Sequence, residues 1–125
     1  AMCPDVFLAL QEEELLAFRP EAWQRQLREA WGAAEGDSLA QSFERDRLCS
    51  QVQIPIVSKF GFEASPAGID RRMQETKQFE ENPEIMRNAS WLKWLTDPME
   101  QLEHPYGPAG TEKQTSLGPM MPEAL

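Results

Sequence analysis

A chain of 125 residues, 41% apolar and 26% charged, has the length and composition of one globular domain. Its 21 acidic against 12 basic side chains leave a net charge of −9, which disfavours nucleic acid and anionic membrane surfaces, since both need clustered Lys and Arg. Two cysteines, Cys3 and Cys49, make neither a disulfide framework nor a zinc site, and no apolar run approaches the length of a membrane span.

The chain opens with Ala1-Met2, and Met2 reads as the natural start. Pro4-Asp5 interrupt any signal-peptide core, and the opening lacks the Arg-rich character of a mitochondrial presequence. The reading is an intracellular, cytoplasmic protein. Asn88-Ala89-Ser90 matches a glycosylation sequon, but such tripeptides are common by chance.

A first helix is expected over residues 5–18, capped by Asp5, with Val6, Phe7, Leu8, Leu10, Leu15, Leu16 and Phe18 apolar. Gln11-Glu12-Glu13-Glu14 interrupt that series and are expected to face water. Pro20 suits the first turn of a second helix. There Trp23, Leu27, Ala30, Trp31 and Ala34 form a single stripe, and Gly36 ends it. Asp37-Ser38 begin a third helix carrying Leu39, Phe43 and Leu48 inward, with the alternating charges Glu44-Arg45-Asp46-Arg47 solvated.

Residues 52–62 read differently. Val52, Ile54, Ile56, Phe60 and Phe62 fall on alternate positions, a period of two that predicts an extended segment with one apolar face. Pro55 points to the other face and works against edge pairing, so the segment is expected to wrap across helices of its own chain. Pairing with a second copy, giving a homodimer, or with a strand of another protein is the alternative.

Ser65-Pro66 and Asn82-Pro83 each place a capping side chain before a first-turn proline and start two more helices. The former carries Ile69, Met73, Thr76 and Phe79 inward, and the latter Ile85, Met86, Ala89, Leu92 and Leu95, stopping at Asp97-Pro98. From His104 onward Pro and Gly recur every few residues, so residues 104–125 read as an irregular, flexible tail after a helical domain over 1–103.

The groups that carry chemistry are sparse. The single histidine, His104, lies at the edge of the tail, and no histidine in an ordered segment stands ready to activate Cys49, which reads as a buried inert thiol. Adjacent acids such as Glu80-Glu81 arise from composition. Phe60-Gly61-Phe62 holds too few glycines for a phosphate loop. No catalytic residue, metal ligand or cofactor is assigned.

The sequence therefore predicts a mainly α bundle of about five helices crossed by one extended segment, with α+β and a small sheet as the alternative. The expected function is a non-catalytic protein–protein interaction module, an adaptor or a subunit of a larger assembly. Its candidate contacts are Ile54, Ile56, Phe60 and Phe62 of the extended segment, Trp91 and Trp94, and Met120 and Met121 of the tail. The alternative is a small acid–base enzyme or small-molecule binder with a pocket lined by Trp, Met and carboxylates.

Overall fold

A computed structural model describes residues 2–108 and contains six α-helices. They are α1 (Pro4–Phe18), α2 (Glu21–Ala33), α3 (Ser38–Lys59), α4 (Pro66–Glu75), α5 (Pro83–Thr96) and α6 (Pro98–Glu103), with a 3-10 turn over Thr76–Phe79 after α4. Among the described residues there is no strand, so the fold is mainly α and the alternative with a small sheet is not supported. None of these helices is long and apolar enough to cross a membrane.

The helix starts follow the capping chemistry. Asp37 accepts the Ala40 N–H, Ser65 the Gly68 N–H, and Asn82 the N–H groups of Glu84 and Ile85, each satisfying donors that a helix N-terminus leaves orphaned. Asp97-Pro98, expected as a stop, also starts something: Asp97 accepts the Met99 N–H and Pro98 opens α6. α1 begins one residue before the expected position, with Cys3 at its N-cap and Pro4 in its first turn.

The extended segment does not form. Residues 52–59 are the second half of α3, a helix of 22 residues that runs through Pro55. The reason lies in a second periodicity within the same residues. Leu48, Cys49, Val52, Ile56, Val57 and Phe60 recur at helical spacing, and the structure turns this stripe inward: Leu48, Cys49 and Val57 are buried, while Val52, Ile56 and Phe60 pack against the core. Pro55 and Gln51, whose carbonyl loses its helical donor, both lie on the exposed side of the helix. The helix ends in a Schellman motif. Gly61, at φ +96°, donates to the Ser58 carbonyl, and Phe62 donates to the Val57 carbonyl at 3.0 Å. Phe60-Gly61-Phe62 is thus a helix terminator whose two rings pack on the core. A homodimer built by pairing residues 52–62 as strands has no strand to use.

α1 is the central element. Its second half joins Leu15 and Phe18 to Cys49, Trp91, Leu92, Trp94 and Leu95, with Trp23 and Val52 packed against them. Its first half joins Phe7 and Leu10 to Phe79 and Ile85, with Phe60 and Phe62 alongside. α5 packs most extensively on α1, α3 packs on α1 and α2, and α4 packs on α3. Close approach of α4 to the preceding turn requires Gly68, since a β-carbon there would sit 1.7 Å from the Glu63 carbonyl oxygen.

Two polar devices tie the helix ends together. The Gln24 amide, fully buried, donates to the Phe18 carbonyl at the end of α1 and the Leu95 carbonyl near the end of α5, and accepts from Gln101 of α6. Gln11 donates to the Ile85 carbonyl and accepts from Asn88 Nδ2 at 3.2 Å. Asn88, the sequon asparagine, therefore has its amide committed within the bundle.

Candidate functional site

α3 and α5 flank α1, and α4 rides on α3, which leaves a cleft of about 780 Å³ over the second half of α1. One wall carries Arg45, Cys49 and Gln53 of α3 together with Ile69 and Met73 of α4, and the other Met86, Ala89, Leu92, Lys93 and Thr96 of α5. These positions recur at three- and four-residue steps, so each helix presents one face to the cleft. Glu14 and Phe18 of α1 form the floor.

The floor holds the most unusual pair in the molecule. Glu14, expected in water, is fully buried and pairs with Arg72, itself only 3% exposed. Arg72 Nε donates to Glu14 Oε2 at 2.9 Å and Nη2 donates to Oε1, a two-pronged fork. Gln53 Nε2 adds a third bond to Glu14 Oε2 at 3.3 Å, and Arg72 Nη1 donates to Thr76 Oγ1 at 3.1 Å. The guanidinium also sits 5.1 Å from the centre of the Phe7 ring. Glu14 is buried because Phe7, Leu10, Glu14 and Phe18 form the helical stripe that α1 turns inward. The same holds for Arg72, which follows Ile69 and precedes Thr76 and Phe79 at helical steps. Those spacings were visible in the sequence, but the charge of the two residues hid them.

Beside the pair, Cys49 is buried, and removal from water pushes its thiol up to about 12, so it is protonated at neutral pH. Met73 and Met86, expected inward, stand exposed on opposite lips of the cleft. Leu39 and Phe43, also expected inward, are among the most exposed apolar side chains, because the first turns of α3 turn Ala40, Gln41 and Glu44 inward instead, with Gln41 donating to the Trp31 carbonyl of α2. Among the described residues no group of three His, Cys, Asp or Glu side chains is placed to hold a metal ion.

The sequence-predicted contact residues do not gather at this cleft. Trp91 and Trp94 are 3% and 1% exposed and complete the core, their rings edge-to-face at 5.9 Å. Trp94 Nε1 donates to the His104 carbonyl at 2.6 Å, which holds the chain after α6 against α5. Ile56, Phe60 and Phe62 pack on the cluster around Phe7, and Ile54 is half-buried on α3. Met120 and Met121 lie outside the described residues.

No family model, no curated protein and no solved structure matches this chain.

Proposed function

We propose that this protein is a non-catalytic protein–protein interaction module that receives its partner in the cleft between α3, α4 and α5. The observation that carries this reading is an apolar patch on the walls of the cleft, half-buried Ile69 and Ala89 with exposed, flexible Met73 and Met86. It is set among the charged Asp70, Lys77, Glu80 and Lys93, above the buried Glu14–Arg72 pair. An apolar centre with a polar border is the anatomy of a recognition surface, and methionine adapts to varied partner shapes. The reactive groups at the floor are otherwise engaged. The Glu14 carboxylate is taken up by Arg72 and Gln53, and the Cys49 thiol is held protonated. That favours holding a partner over transforming a substrate, and it suits an adaptor or a subunit of a larger assembly.

Photo-crosslinking in cells tests the reading. A crosslinker at position 86 should capture a protein partner, a Met73→Lys change should abolish the capture, and a crosslinker at position 102 on exposed α6 should give none. Recovery of the bare chain from position 86 overturns it. A small-molecule occupant is the second reading, favoured by a volume of about 780 Å³, within the usual range of ligand pockets. Native mass spectrometry showing a bound compound displaced by Met86→Lys would decide for it.

A further inference from the structure

We infer that the cleft accepts a single amphipathic helix with a basic flank, supplied by another protein; this rests on the cleft being the recognition surface. The first argument concerns backbone hydrogen bonds. The walls are helices whose backbone groups are satisfied internally, and among the described residues no strand offers an open edge. An extended peptide would enter with its own N–H and C=O groups unpaired against the apolar side chains of Ile69, Met73, Met86 and Ala89, whereas a helix brings them already bonded.

The second argument is dimension. From Met86 to Thr96 the α5 wall runs about 15 Å at roughly 1.5 Å per residue, the length of about three helical turns. The occupant would therefore place apolar side chains at i, i+3 or i+4, and i+7 against Ile69, Ala89 and Leu92.

The third is charge. Among the lining charges Glu14 is neutralised by Arg72 and Asp46 pairs with Arg45, while Lys93 reaches Glu100. Asp70, Glu80 and Asp97 carry no ion pair among the described residues, against Lys77 alone, so three acids less one base leave the rim net negative. The chain as a whole carries −9, so its field reinforces that sign.

The test uses the full chain with isotope-labelled methionine methyl groups. It is titrated with peptides of about 12 residues that carry the same amphipathic pattern in Leu/Lys or Leu/Glu form, or a scrambled Leu/Lys order. At about 0.15 M salt the Leu/Lys helix should move the Met73 and Met86 signals together and leave Met99, on α6, in place. Its affinity should exceed that of the other two peptides about tenfold, and Met73→Lys or Met86→Lys, at exposed positions that leave the core intact, should remove that margin. Equal response of Met99, or equal affinity for the scrambled peptide, overturns the inference. So do Met73 and Met86 signals that shift with protein concentration alone, which would assign the cleft to a second copy. Intramolecular contacts from the Met120 or Met121 methyl groups to Met73 or Met86 would assign it to the chain's own last residues. Partner capture at position 86 together with rejection of the Leu/Lys helix would leave the interaction reading standing and remove the helical, basic occupant.

Discussion

A carboxylate and a guanidinium taken together out of water must satisfy one another, since either alone carries a desolvation cost of several kcal/mol. Glu14 and Arg72 do so through a two-pronged bond at the floor of the cleft, with Gln53 and Thr76 completing the set. Removing one partner strands the other. Glu14→Gln or Arg72→Met should each destabilise the fold by about 3–5 kcal/mol, read from urea denaturation. The double change Glu14→Leu with Arg72→Met should recover most of that loss, because two apolar side chains leave no charge behind. Cys49 makes a pH-dependent contribution at the same place. Its thiol titrates near 9 when unfolded and at about 12 in the fold, so the native state binds more protons between those values. Stability should be unaffected by this group below pH 9 and fall as pH rises from 9 towards 12. Cys49→Ala should flatten that alkaline limb in thermal melts followed across the same range.

At the scale of the element, two periodicities compete within α3. Five apolar residues on alternate positions and a proline made residues 52–62 resemble extended chain, yet the same stretch also holds Val52, Ile56 and Phe60 at four-residue steps. Period two and period four coincide on those three residues, and only the neighbours choose between them. Val57 and Cys49, off the alternating row, extend the helical stripe and are buried. Gly61 marks the end of the helix locally, since a glycine following Lys59 and Phe60 suits a helix C-terminus as well as a loop. The helix retains Pro55 at the cost of one hydrogen bond and some steric crowding, offset by the contacts of its inner face. Pro55→Ala, on the exposed side, should therefore stabilise the protein by about 1–2 kcal/mol, less than the full cost of a helical proline because the unfolded chain regains freedom. The midpoint of urea unfolding measures it, and a loss of stability would mean that α3 depends on the proline.

On the scale of the whole molecule, α1 makes one body of two apolar clusters. Phe7 and Leu10 anchor the first and Leu15 and Phe18 the second, so neither cluster can lose its packing without disturbing the helix they share. Unfolding should be a single cooperative transition, with the fluorescence of the four tryptophans superposing on the helical far-ultraviolet signal. Separated transitions would show that the clusters melt independently. The same architecture creates the cleft, since α3 and α5 lie on either side of α1 and the space between them is left open.

Local chemistry in the sequence determined the helical class and the starts of α3, α4 and α5, because Asp37, Ser65 and Asn82 cap through atoms a few residues away. It also marked Cys49 as a buried thiol. Tertiary structure alone decided which of two periodicities residues 52–62 obey, since each satisfies the local rules and only burial against α1 separates them. It decided likewise that Glu14 lies inside, because its partner stands 58 positions away on α4 and no local pattern links the two. Trp91 and Trp94 follow the same logic: a surplus of aromatic surface on one helix becomes core or interface according to what packs against it, and here α1 does.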